Sequence, residues 1–221
     1  CVTNGISFLG YSLNSNSNVA FIVGNGTEWT NSKGMFVGER GAYNRVTLAD
    51  GARLFSENGQ IGSESSARMN AVAVTGPNSV WSNSATLTVG VKGMFNHLDV
   101  VDGGTVFSAE GTIGTSSKSN TVLVTGQDSA WHCQYLLFVG YRAPDNRLTI
   151  ADHGTVSCTT LYVGDLACSY NLLTITNGGR LFCDNGDIGR YNATGNNAIW
   201  ITGAGSVLSN ANKFSMGSAD G

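Results

Sequence analysis

Residues 70–81 read NAVAVTGPNSVW, and residues 120–131 read NTVLVTGQDSAW. In both, an Asn opens a run that alternates apolar and polar residues at period two. The run turns at Thr-Gly and then reaches a Trp. Period-two alternation rich in Val, Ile and Thr and punctuated by Gly and Asn is a strand signal. A near copy, NAIWITG, lies at 197–203. A second unit type carries RVTLAD (45–50), RLTIAD (147–152) and LLTITN (172–177).

Each of these runs follows an Asn. The series is Asn18, Asn44, Asn70, Asn96, Asn120, Asn146, Asn171 and Asn197, spaced 24 to 26 residues apart. An apolar residue followed by Gly repeats with the same period, from Leu9-Gly10 through Val89-Gly90 to Met216-Gly217. Such self-similarity signals a repeat architecture. No unit holds enough helical periodicity for an amphipathic helix. Propeller blades need about 40–45 residues, and leucine-rich repeats need a fixed Leu frame.

The pattern therefore predicts an all-β, single-stranded parallel β-helix. Its turns are 24–28 residues long with three short strands each, about nine turns in all. Successive turns stack about 4.8 Å apart. Residues 1–221 are expected to form one continuous solenoid, truncated or uncapped at both ends.

The phase assigns the interior. Residues two and four after each Asn point inward, as Val72 and Val74 or Leu148 and Ile150. A large inward residue follows on the second strand: Trp29, Leu54, Trp81, Val106, Trp131, Val156, Leu181 and Leu208. Two places later comes a small polar or thiol residue. Unit types alternate, except that 147–171 and 172–197 are both of the second type.

Stacking turns each of these positions into a column. The eight Asn residues are read as a structural ladder whose amides satisfy one another. Cys133, Cys158 and Cys183 are read as a buried column of reduced thiols, small hydrophobes in effect. Metal ligation is disfavoured, because thiolate ligands come in close pairs and no Cys-x-x-Cys is present. Cys168 and Cys1 are the expected reactive thiols. Cys1 is also a candidate lipidated residue. Trp200 falls on an outward position and is a candidate for sugar stacking or a subunit contact.

Charge and composition exclude several classes. Charged residues make up 12% of the 221, about half the usual share, and the net charge is −3. Without a basic run there is no nucleic-acid groove. No stretch reaches the 18–20 apolar residues of a membrane-spanning helix. No cofactor or metal motif stands out. The weak catalytic candidates are His97, Asp99 and Asp102, because paired carboxylates serve glycoside hydrolysis. Asp50, Asp102 and Asp152 also begin Gly-containing corners, where Asp is a turn residue. An ice-binding face would need a regular Thr-x-Thr pattern, and the outward residues are irregular.

From Phe8 to Gly217 the frame N-x-V-x-V-T-G-x-x-S-x-W…V-G…N-x-L-x-I-x-D-G-G-x-V…I-G resembles repeats of bacterial autotransporter passengers and giant adhesin-like surface proteins. That resemblance implies a right-handed solenoid at the cell surface with a stalk or adhesive role. The expected function is a non-enzymatic structural or adhesive segment of an extracellular protein. The alternative is a polysaccharide-active β-helix lyase or glycosidase. Expected partners are further solenoid turns or copies of itself, end to end, and a glycan or host surface.

Overall fold

A computed structural model describes residues 1–190 and 195–217. It is a parallel β-solenoid, and the described residues contain strands but no helix. The first strands of the turns form an eight-stranded sheet. They are Val19–Val23, Arg45–Ala49, Ala71–Thr75, His97–Val101, Thr121–Thr125, Arg147–Ala151, Leu172–Thr176 and Ala198–Thr202. The second and third strands build a thirteen-stranded sheet. The eight first strands mark about eight turns. The opening strand Val2–Leu9 pairs with Glu28–Val37 and adds part of another. In several turns the second and third strands run together, as in Thr155–Val163 and Arg180–Ile188.

Register follows the sequence phase. Leu98 sits between Val72 and Val122, and Val100 between Val74 and Val124. All six side chains are buried. Interior strands hide alternate residues, as His97–Val101 does, which is why the period-two pattern is conspicuous.

The alternation of unit types has a packing cause. Trp81 and Trp131 are fully buried. Each indole donates its N–H to a serine of the preceding turn: Trp81 Nε1 to Ser56 Oγ at 3.2 Å, Trp131 Nε1 to Ser108 Oγ at 3.1 Å. Each ring also lies on a glycine of that preceding turn. A Cβ on Gly59 would strike the Trp81 ring, and one on Gly111 the Trp131 ring. A large residue in one turn thus requires a small one in the turn before it. The corresponding residue in the slipped turn is the fully buried Leu161, in register with Leu137 and Gly186. There the following turn supplies Leu181 instead of a Trp, so no glycine is needed.

The corners are coupled in the same way. Asp50-Gly51, Asp102-Gly103 and Asn177-Gly178 all have left-handed backbones at both residues. This is the type I′ requirement that Asp-Gly and Asn-Gly meet. The glycine N–H then donates to a serine of the next turn, Gly51 to Ser79 Oγ at 3.0 Å and Gly103 to Ser129 Oγ at 2.9 Å. Gly178 donates to Ser206 Oγ at 3.2 Å. That serine belongs to the Thr-Gly-x-x-Ser unit, so each unit type completes the other. At the slip the corner is Asp152-His153, with φ of 47° and 69°, and no such unit follows.

Candidate functional site

The Asn series forms one continuous hydrogen-bonded ladder. In each turn Oδ1 accepts the backbone N–H of the preceding Asn, from Asn18 N to Asn44 Oδ1 at 3.0 Å through Asn171 N to Asn197 Oδ1 at 3.0 Å. The same oxygen accepts from the preceding side-chain amide at 2.8–3.3 Å. Remaining amide hydrogens reach loop carbonyls, such as Asn146 Nδ2 to Pro144 O at 3.0 Å. Asn44 through Asn171 are fully buried, so this mutual satisfaction is what allows the column to exist.

The thiols of Cys133, Cys158 and Cys183 are reduced and buried, and Cys158 pairs in register with Cys183. Burial pushes the Cys133 thiol up to about 11 and raises Cys158 and Cys183 as well. Such thiols are poor nucleophiles, because the thiolate is the reactive form. The expectation that Cys168 is reactive is corrected. It is 2% exposed, packed beneath the return loop with its sulfur 3.2 Å from Gly140 O, and burial raises its pKa. Cys1 is exposed.

The structure brings His97 and Asp99 together but leaves them alone. His97 Nε2 lies 3.8 Å from Asp99 Oδ2 on the outer face of the eight-stranded sheet. In register, His97 is flanked by Ala71 and Thr121, and Asp99 by Ala73 and Leu123. Asp102 lies past the strand end in its corner, at φ 52°, where Thr75 Oγ1 donates to its Oδ2 at 3.3 Å. Trp200 is 63% exposed, stacked in register on Thr174 in the last first-strand. Among the described residues no group of three or more His, Cys, Asp or Glu side chains is placed to hold a metal ion. No helix of the described residues is long and apolar enough to cross a membrane.

A richer constellation lies on the outer face of the second strands. In register, one column there runs Phe55, Ser82, Phe107, His132, Ser157, Phe182. Phe107 and His132 stack, with centroids 5.2 Å apart and planes 24° apart. His132 Nδ1 is 3.0 Å from Ser157 Oγ, and partial burial lowers its pKa. Cavities border this pair on both sides. One of about 430 Å³ lies against Phe107, between Asp102 and Asp128. Another, of about 290 Å³, lies against His132 and is lined by Asp128, His153, Thr155 and Arg180. The slip in alternation is the sequence signal here, since it places His153 where other corners have glycine.

A second cluster lies on the outward face of the third strands. Phe138 stacks on Tyr162 at 5.0 Å, and the Arg190 guanidinium covers Tyr162 at 4.6 Å. Arg190 Nε also meets buried Asp165 at 3.3 Å. Burial raises the Asp165 carboxyl and Arg190 opposes that. The guanidinium thus offsets part of the cost of taking the Asp165 carboxylate out of water. Comparison of the chain with protein-family models, curated proteins and solved structures gave no match.

Proposed function

We propose that this chain is a non-enzymatic structural and adhesive segment of a bacterial extracellular or cell-surface protein. In this reading it extends by end-to-end stacking, on further turns of its own protein or on another copy. The observation that supports it most is the register. The Asn and core columns run from turn to turn under one rule, so successive turns offer one another the same contacts. Leu173 and Ile175 are sealed by the turn above them, where Ile199 and Ile201 lie in register with them. Parallel edges of this kind pair readily unless they are blunted. A head-to-tail contact of this sort is heterologous and propagates.

The isolation of His97 and Asp99 among Ala71, Ala73, Thr121 and Leu123 supports the non-enzymatic reading. An acid–base pair for glycan cleavage needs a second carboxyl group across the bond. Negative-stain microscopy and sedimentation velocity of the purified chain test the proposal. Rods that lengthen with concentration are expected. A compact monomer at the highest attainable concentration would overturn stacking between copies, and turnover of a polysaccharide would overturn the non-enzymatic assignment.

A further inference from the structure

We infer that the cavity beside His132 is a binding site for an acidic saccharide. Its floor and walls are unlike the rest of the outer surface. Arg180 lines it and, among the described residues, has no ion-pair partner. A guanidinium without a carboxylate neighbour presents a planar fork matched to a carboxylate. His153 and Thr155 line the cavity with it and can donate, and Gln127 and Asp128 also line it and can accept sugar hydroxyls.

The His132 ring, backed by its stack on Phe107 of the turn before, supplies the apolar element. Its register neighbour on the other side is Ser157, too small to cover the ring. A sugar presents apolar C–H faces and a polar rim, which suits a ring platform flanked by donors and acceptors. The cavity of about 290 Å³ suits a single pyranose residue rather than a large ligand.

The corner itself departs from the repeat. His153 holds φ of 69° at a corner whose counterparts are Gly51, Gly103 and Gly178. The same turn interrupts the alternation of unit types. One local irregularity therefore introduces His153, removes the Thr-Gly-x-x-Ser corner above it, and sets Arg180 at the cavity edge. Arg53 provides an internal comparison. It is also the first residue of its second strand, yet its register neighbour in the turn before is Glu28 rather than Thr155, and no histidine lies beside it.

The test is calorimetric titration of the intact chain with a hyaluronan hexasaccharide, which alternates glucuronate and N-acetylglucosamine, against a neutral chitin hexasaccharide. The acidic sugar should bind at least ten-fold more tightly. Arg180→Gln should weaken it at least ten-fold, and Arg180→Lys should also weaken it because the fork is lost while charge and fold remain. His132→Ser should weaken both sugars. Arg53→Gln should leave binding unchanged. No binding of the acidic sugar, equal binding of the two, or an equal loss in Arg53→Gln and Arg180→Gln would each overturn the assignment. None of these outcomes depends on whether the chain stacks end to end.

Discussion

Gly90 lies directly against the side-chain amide of Asn120. A Cβ built on Gly90 would fall inside the amide group, and its φ of 81° is left-handed as well. The same contact recurs from Gly62 to Asn96, from Gly114 to Asn146 and from Gly140 to Asn171. The two periodic marks of the sequence, the Asn and the apolar-Gly pair, are thus the two halves of one contact between turns.

Gly90→Ala should therefore destabilise the fold by about 2–4 kcal/mol, from strain plus displacement of a buried amide. Asn120→Ala should cost about 1–3 kcal/mol, because the N–H of Asn96 loses its acceptor. Combining them should cost less than the sum, since removal of the amide makes room for the methyl group. Urea unfolding of the four proteins measures the coupling. Strict additivity would mean that the contact does not matter.

Thiol reactivity should divide the cysteines sharply. With native protein at pH 8, Ellman's reagent should modify Cys1 quickly and Cys133, Cys158, Cys168 and Cys183 slowly. All five should react in guanidinium. Mass mapping after a short pulse identifies the sites. Rapid labelling of Cys168 would contradict its burial under the return loop.

Alkali should unfold the protein through the same column. Burial pushes the folded Cys133 thiol up to about 11, from an ordinary value of 9.0. The unfolded chain then loses this proton first as pH rises. Stability from this group is complete below about pH 9 and is lost as pH climbs from there through 11. At pH 10 the loss is about 1.4 kcal/mol from Cys133, and Cys158 and Cys183 shift the same way. Urea midpoints at pH 8 and pH 10 check this. Cys133→Ala should shrink the difference between them, and an unchanged difference would locate the alkaline loss elsewhere.

What was legible in the sequence was whatever repeats. The inward phase of Val72, Val74, Leu98 and Val100 follows from period-two alternation alone. A repeat multiplies each weak local signal along the chain. The coupling between unit types was less visible, because Trp81 meets Gly59 and Ser56 only after the chain has gone once around. The cavity beside His132 was not legible. Asp128, His132, His153 and Arg180 are scattered over three turns, and none lies in a motif. Only the break in alternation marked the place. Cys168 was misread because a return loop was taken to be exposed, whereas this sulfur is tucked beneath its loop against Gly140.

The last expectation concerns the irregular corner. Asp152-His153 occupies the place of Asp-Gly in a type I′ turn, and a non-glycine residue there is strained. The His153 ring also lies close to Gly178 of the next turn, so that a methyl group on Gly178 would collide with it. His153→Gly should relieve about 1 kcal/mol of strain. Part of that gain, about 0.4–1 kcal/mol, is returned through the greater freedom of glycine in the unfolded chain. Stability should therefore stay level or rise slightly. The contrast is Ser129→Ala, which strips the acceptor from the Gly103 N–H of a regular corner and should cost about 1–2 kcal/mol. If His153 serves the neighbouring cavity, His153→Gly should weaken binding of the acidic sugar while stability holds. Urea unfolding and calorimetry on the same variant separate the two effects. A marked loss of stability in His153→Gly would show instead that the ring is a packing element of the corner.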